Sequence, residues 1–269
     1  MDILTHIVSG VAASTVVAAL SKSKVIPLNR IFAVGALGGA FPDIDAITLW
    51  SKFDAIIGEG FGLTHTGKEI YFGKFWYSHH AFFHSIAAAV LAGFLFGSLV
   101  YLYRWILLQQ RKESFGYFFK TNLSVFLAFV LGCMAHIAGD LITPASEWGG
   151  VRLFFPHAAY IGGWGKIWWW NNYDIFLIIS AGALLNIILL SLVVKNYRRI
   201  RMMALLIAAM VFFGVWRQVT TRTTDYAYTG DTGKFQQLEQ KSKEEQQRIL
   251  GEKLYKKMEK FDGWLKFNF

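Results

Sequence analysis

A series of long apolar blocks constrains the fold of this chain more than any other feature. These blocks are apolar around the whole helical circumference, which is typical of segments that lie in a bilayer. They are Leu4–Leu20, Ile31–Trp50, Phe82–Leu107, Leu123–Ile142, Ile175–Val194 and Met202–Trp216. A span needs roughly 20 apolar residues. The first segment is near that limit and the sixth is short. A Pro-Asp-Ile-Asp sequence interrupts the second segment. The sequence therefore predicts an all-α, polytopic membrane helix bundle with five to six spans.

The composition supports a membrane protein without thiolate chemistry. Hydrophobic residues make up 54% of the 269 residues, and the mean hydropathy is +0.37. The single cysteine, Cys133, lies inside an apolar segment, and one thiol cannot form an internal disulfide. The chain runs from Met1-Asp2 directly into apolar sequence, so we expect the first segment to remain in the mature protein.

The basic residues are concentrated in loops that alternate with more acidic loops. The loops 21–30, 104–120 and 195–201 are basic, whereas 43–83 carries five acidic against three basic residues and 140–174 carries three against two. Basic loops stay in the cytoplasm by the positive-inside rule. This distribution predicts a multi-pass protein of a bacterial-type inner membrane whose two termini face the extracytoplasmic side. It also accounts for much of the net charge of +9, so we expect no nucleic-acid partner.

The chain divides by composition into residues 1–216, which contain all six segments, and a polar tail, 217–269. Glu252 and Lys256 are spaced i,i+4, which supports a helix in the tail. The tail is either a solvated appendage or a helix that lies on the membrane interface or over a site. A tryptophan-rich stretch, Trp164–Trp170, precedes the fifth segment, and its side chains either anchor the protein at headgroup depth or contact a substrate.

Histidine and aspartate residues recur at one end of four of the apolar segments. They are His6, Asp43, Asp45, His79, His80, His84, His136 and Asp140. Ionisable residues at membrane depth are costly and are usually functional. Alternating spans place all of them at the extracytoplasmic face, and the loop charges that predict this orientation do not include the histidines.

Their spacing indicates a metal site. His136 and Asp140 are spaced i,i+4 and share one helical face, while Pro42 is expected to end the preceding helix and leave Asp43 and Asp45 on extended or turn backbone, pointing the same way. Imidazole and carboxylate ligands suit Zn²⁺, Mn²⁺ or Fe²⁺. Seven candidate ligands could hold more than one ion, and paired ions are common in phosphoester hydrolysis. Two other histidines, His65 and His157, are expected to be loop residues.

In their order along the chain, these motifs resemble the YdjM-like family of inner-membrane metal-dependent hydrolases. The motifs are Thr5-His6, Pro42–Asp45, His79–Ser85 and His136–Asp140, followed by Thr143, Gly150-Val151 and Phe155-Pro156. The resemblance covers about residues 1–200 and departs from the family pattern at His80, Ala81 and Phe83, which stand where the family has Arg, Gly and Thr. The same His/Asp set resembles that of zinc-dependent phospholipase C and related zinc nucleases. These resemblances imply a metal-ligand role for His6, Asp43, Asp45, His79, His84, His136 and Asp140.

The resulting hypothesis is a membrane-bound hydrolase of a phosphoester such as a lipid headgroup, with one to three divalent ions, Zn²⁺ first. Asp43 or Asp45 would orient water or act as a base, with Asp43 the catalytic candidate, and His80 would contact the phosphate or protonate the leaving group. Ser85 and Trp164 would contact substrate. The alternatives are a transporter or receptor that contains a metal, and a membrane di-iron oxidase, for which the chain has few histidines. The sequence does not fix the oligomeric state.

Overall fold

The computed structural model describes residues 1–21, 26–109, 113–191 and 197–265. The described residues are helical without a β-strand, which confirms the predicted all-α class. The helices are α1 (Ile3–Leu20), α2 (Leu28–Ala40), α3 (Glu59–Phe61), α4 (Gly67–Phe72), α5 (Ile86–Ile106), α6 (Phe115–Thr121), α7 (Leu123–Ile142), α8 (Tyr173–Ser191), α9 (Tyr197–Thr220), α10 (Thr232–Leu250) and α11 (Glu252–Leu265). Short 3₁₀ helices cover Phe41–Leu49 and Phe82–His84, and a π-helical turn covers Asp54–Gly58.

Six helices in the described residues are long and apolar enough to cross a membrane, the upper end of the predicted number. They cover Ile3–Leu20, Leu28–Leu49, Ile86–Ile106, Leu123–Ile142, Tyr173–Ser191 and Arg198–Thr220. The sixth is longer than predicted from the apolar run, because polar residues at both ends continue the helix. Part of the predicted orientation depends on Lys22, Lys24, Arg111, Lys112 and Lys195, which lie outside the described residues.

The core of the bundle is formed by α1, α2 and α7, whose backbones approach closely at glycines. A β-carbon added at Gly10 or Gly132 would meet the backbone oxygen of Gly35, and one added at Gly39 would meet the backbone oxygen of His6. Lipid tails are as apolar as leucine, so membrane helices pack well where small residues allow close contact. This contact brings the polar ends of the three helices together.

The α-helix of the second span ends at Ala40, just before Pro42, as predicted, but the span itself continues to Leu49. A 3₁₀ helix continues from α2 through Phe41–Leu49, with proline in its first turn. Proline is tolerated there because the first turn leaves its N–H groups without an intrahelical acceptor. Asp43 and Asp45 therefore lie on a helical turn rather than on extended backbone, and they reach the cluster from different directions.

The third span begins at Ile86, four residues later than predicted, because Ser85 caps it. The Ser85 hydroxyl accepts a hydrogen bond from the Ala88 N–H at 3.0 Å and donates one to the Phe82 carbonyl at 2.6 Å. The preceding histidines consequently lie on a turn and a single 3₁₀ turn instead of on the long helix.

The tail is helical, as predicted, and folds back onto the start of α8. Arg222 has a 2% exposed side chain and donates from Nη2 to Asp174 Oδ1 at 2.9 Å. Gln246 on α10 donates to the same oxygen at 2.9 Å and accepts a bond from the Asp174 N–H at 3.1 Å. Tyr226 donates to Glu245 at 2.6 Å. A buried polar network thus ties the tail to the end of the bundle that carries the histidines and aspartates.

Candidate metal centre

Five parts of the chain bring the predicted metal ligands into one buried cluster. They are the first turn of α1, the 3₁₀ helix after α2, the turn before α5, the 3₁₀ turn that contains His84, and the last turns of α7. Ligand atoms within 4.8 Å of one another form four overlapping groups that could hold a metal ion. These groups are His79/His80/His84, His6/His136/Asp140, Asp43/His84/His136 and Asp43/Asp45/His79. All seven predicted ligands are therefore brought together.

His136 lies at the centre of the cluster and exposes a bare nitrogen to it. Its Nδ1 is 2.7 Å from the Gly39 carbonyl oxygen, and because a carbonyl only accepts, Nδ1 carries the proton. In the neutral ring Nε2 then has no proton and carries a lone pair. This nitrogen lies 3.0 Å from Asp140 Oδ2, 3.3 Å from His84 Nε2 and 3.5 Å from Asp43 Oδ1. The two carboxylate oxygens repel this lone pair unless a cation or a proton lies between them.

The carboxylate of Asp140 joins α7 to the N-terminal end of α1. Its Oδ1 is 3.2 Å from His6 Nε2 and 2.9 Å from the amino group of Met1. The imidazole of His6 is stacked on that of His136, with ring centroids 3.6 Å apart. Asp140 therefore bridges the His6 ring and the His136 ring and presents its second oxygen to the centre.

Asp45 holds the orientation of His79 and lies close to His84. Its Oδ1 is 2.8 Å from His79 Nδ1, and its Oδ2 is 3.5 Å from His84 Nδ1. A carboxylate on one ring nitrogen fixes the tautomer and directs the other nitrogen outward, as in carboxylate–histidine–metal arrangements. Asp43 lies on the opposite side, with Oδ1 3.6 Å from His84 Nε2 and a side chain that is 22% exposed.

His80 also has a nitrogen that is free to bind a metal, which the sequence did not indicate. Its Nδ1 donates to the Gly150 carbonyl at 3.1 Å, so Nε2 of the neutral ring has no proton and can act as a ligand through its lone pair. The Arg152 N–H in turn donates to the His80 carbonyl at 2.9 Å. His80 has a left-handed φ of 63°, which costs a non-glycine residue about 1–2 kcal/mol, and these two bonds hold it there.

Aromatic side chains from α4 and from the loop after α7 enclose the histidines of the turn. Tyr71 is stacked on His79 with centroids 4.4 Å apart, and Trp148 lies 5.0 Å from His79 and 4.6 Å from His80. The Trp148 indole donates to the Tyr71 carbonyl at 2.9 Å. Sequence reasoning missed both residues, since nothing in their neighbourhoods differs from the many other aromatic residues of the chain.

Two histidines that lie outside the spans, His80 and His84, have opposite electrostatic preferences. Burial lowers the pKa of His80 well below its usual value, and His79 and His84 lower it further. Burial also lowers the pKa of His84, but hydrogen bonds with Asp43 and Asp45 outweigh it and raise the pKa to about 9. His80 therefore favours a neutral ring, while His84 favours a positive charge among the carboxylates.

The donor set fits a divalent transition metal. Four of its buried atoms have no hydrogen-bond partner among the described residues, namely His6 Nδ1, His84 Nδ1, Asp45 Oδ2 and Asp140 Oδ2. Unpartnered buried polar atoms are costly and call for a ligand, an ion or water. A mixed set of imidazole nitrogens and carboxylate oxygens is typical of Zn²⁺, Mn²⁺ and Fe²⁺ sites.

The remaining predicted residues are placed as follows. Ser85 is buried and its hydroxyl is engaged in the α5 cap. Trp164 is exposed, and its backbone pairs with Pro144 in an isolated bridge. His65 stacks on Phe75, and His157 is exposed in a loop, so both histidines lie outside the four ligand groups. The predicted substrate contacts of Ser85 and Trp164 stay predictions.

Comparison with known proteins agrees with the motifs. No curated protein and no solved structure matches the chain significantly. The model of the family described as YdjM inner membrane protein matches residues 1–223, which include all six candidate spans and the whole cluster and end within the first residues of the tail. The chain therefore belongs to the YdjM inner membrane protein family.

Proposed function

We propose that this protein is a membrane-bound, metal-dependent hydrolase of phosphoesters such as lipid headgroups. The observation that carries the proposal is the convergence of the bare His136 Nε2 on Asp140 Oδ2, His84 Nε2 and Asp43 Oδ1, at 3.0, 3.3 and 3.5 Å. These atoms, with His6 and the histidines of the turn, would hold one to three divalent ions, Zn²⁺ in the first place and Mn²⁺ or Fe²⁺ as alternatives.

The residues divide into ligands and orienting groups. A bound divalent ion lowers the pKa of a coordinated water and neutralises charge on a phosphoryl group. Asp45 holds His79 in place through Nδ1 of its ring, and the Gly39 carbonyl does the same for His136. We extend the predicted ligand set to His80, because its neutral ring directs Nε2 away from Gly150.

Asp43 is the best candidate for the residue that handles water. Its side chain is 22% exposed, whereas those of Asp45 and Asp140 are each 3% exposed. Asp43 thus lies between the buried ligands and the opening of the cluster. A carboxylate there can orient a water molecule and accept its proton, the general-base role predicted for it.

A lipid substrate is supported by the surroundings of the cluster. The ligands lie at the ends of candidate spans, and the segment that follows Asp45 exposes large apolar side chains, namely Trp50, Ile56, Phe61, Leu63 and Trp76. Amphipathic and aromatic side chains of this kind are enriched at headgroup depth. A phospholipid could therefore present its phosphate to the cluster while its acyl chains stay in the bilayer. We place this face on the extracytoplasmic side, because the basic loops lie at the opposite end of the spans.

The proposal is tested by metal content and by product analysis on the same preparation. The purified protein is measured by elemental analysis and then incubated with a panel of phospholipids, and the products are identified by mass spectrometry. We expect bound Zn²⁺, Mn²⁺ or Fe²⁺ and release of a phosphorylated headgroup or of phosphate.

Matched variants separate the site from general damage. His136→Ala and Asp140→Asn should lose metal and product together, whereas His65→Ala and His157→Ala, which replace histidines outside the cluster, should keep both. Metal-loaded protein that moves an ion or solute across proteoliposomes without cleaving lipid would replace the proposal with a transporter. Iron accompanied by oxygen consumption would replace it with a di-iron oxidase.

A further inference from the structure

The last helix of the tail, α11, carries an exposed face that the metal cluster does not explain. This face contains three apolar side chains, of which Leu254 is 41%, Phe261 40% and Trp264 76% exposed. These residues are spaced i, i+7 and i+10, so they share one side of the helix. The whole of α11 lies outside the residues matched by the family model, which end at 223.

An adjacent side of α11 packs against α8, which fixes the direction of the exposed face. Tyr255 and Met258 are buried against Tyr173 in the first turn of α8. The Tyr173 hydroxyl also donates to Asp262 at 3.0 Å, and Phe261, at the edge of the exposed face, lies 6.3 Å from Phe176 between ring centroids. Since α8 is a candidate span that begins at Tyr173, α11 lies beside the point where that span enters the membrane.

The charges of α11 are divided between its two sides. Lys253, Lys257 and Lys260 are exposed and flank Trp264 on the helical wheel, and none of the three forms an ion pair within the described part of the chain. The acidic residues lie elsewhere: Glu252 pairs with Lys256 at 2.6 Å, and Glu259 accepts a bond from Tyr255 at 3.3 Å. The exposed face therefore combines apolar side chains with unpaired positive charge.

We propose that α11 is an interfacial helix that inserts Leu254, Phe261 and Trp264 into the bilayer beside α8 and places Lys253, Lys257 and Lys260 against anionic lipid phosphates. A helix with an apolar face and flanking lysines is the usual form of a peptide segment that lies in the headgroup region. Each lysine at an anionic surface favours the bound position by about fivefold. Tyr173, which α11 contacts, lies on the same side of α8 as the exposed Leu184, and this favours lipid over a second protein chain.

The test places a fluorescent label at two positions of α11 in the full chain. Cys133 is buried and is the only cysteine, so a Cys133→Ala background accepts Trp264→Cys or, as the matched control on the other side, Glu259→Cys. Each is labelled with an environment-sensitive fluorophore and placed in nanodiscs of phosphatidylcholine, with or without phosphatidylglycerol, that contain a nitroxide-labelled lipid. Both native side chains are exposed, so neither substitution disturbs the core.

We expect lipid quenching at position 264, stronger with phosphatidylglycerol, and little quenching at position 259. Replacing Lys253, Lys257 and Lys260 together with glutamine should remove the effect of phosphatidylglycerol. Equal access of an aqueous quencher to both positions would overturn the proposal. A label at position 264 that is shielded only in discs with two copies, without lipid quenching, would also overturn it and would indicate contact between copies. Neither readout depends on metal or on hydrolysis.

Discussion

The exchange of Gly39 for alanine tests how close helix packing supports the metal cluster. The added methyl group would meet the backbone oxygen of His6, with the Gly10 α-carbon 3.2 Å away. Both neighbours are backbone atoms, so α1 and α2 must move apart, which typically costs about 1–3 kcal/mol of stability. The Gly39 carbonyl also accepts the Nδ1–H bond of His136 at 2.7 Å, and loss of such an orienting partner typically weakens metal binding about 10–100-fold.

Gly214→Ala is the matched control, since it is also a glycine in a candidate span but has room. Its added methyl group would meet only Ile178 Cγ2 at 3.5 Å, an ordinary contact, and alanine is the better helix former by about 1 kcal/mol. Thermal unfolding in detergent and zinc affinity by chelator competition are measured for both variants. Gly39→Ala should lose stability and affinity, and Gly214→Ala should lose neither. If the two variants behave alike in both assays, the proposed link between packing and the cluster is wrong.

Three further outcomes are expected. Arg222→Gln leaves the Asp174 carboxylate buried without its cation, which typically costs about 3–5 kcal/mol, so limited proteolysis should release the tail faster than in wild type. Ser85→Ala removes the cap of α5 and should lower stability by about 1 kcal/mol, measured as a shift of the thermal midpoint. Zinc affinity should fall about tenfold for each pH unit below 9, because a proton on His84, whose pKa is raised to about 9, must leave before its nitrogen binds metal; an affinity independent of pH between 6 and 8 would contradict this.

The spans and the ligand set could be predicted because the bilayer strongly disfavours polar and charged side chains that have no functional or structural role. A charged group in hydrocarbon costs several kcal/mol, so His and Asp residues at the ends of apolar segments carry more information than the same residues in a soluble chain. This is why His6, His136 and Asp140, which are far apart in sequence, could be assigned to one site from hydropathy and order alone.

The details around the site depended on loop conformation, which periodicity does not describe. Pro42 was interpreted as a helix end, and α2 does end at Ala40, but the 3₁₀ helix that continues the span through Asp43 and Asp45 was not predicted. The free nitrogen of His80 depends on the Gly150 carbonyl, 70 residues away in sequence. The enclosure by Trp148 and Tyr71 likewise depends on a loop and a helix, α4, that meet only in the folded chain.

The tail shows that buried ion pairs could not be predicted from the sequence either. The charges of Asp174 and Arg222 resemble those of solvated residues when they are met in sequence, but the folded chain buries both and pairs them at 2.9 Å. Their partners, Glu245 and Gln246, lie within a run of polar residues in which nothing distinguishes a buried position from an exposed one. Such pairings follow from the docking of α10 on α8, which only the structure describes.

The central claim is that the His/Asp cluster binds a divalent transition metal, and elemental analysis of the purified protein tests it most directly. Wild-type protein, His136→Ala and the control His157→Ala are purified in parallel without added metal and measured by mass spectrometry. We expect at least one Zn²⁺, Mn²⁺ or Fe²⁺ per chain in the wild type and in His157→Ala, and a substantial loss in His136→Ala. Wild-type protein without transition metal, or a His136→Ala variant with the full wild-type content, would contradict the account.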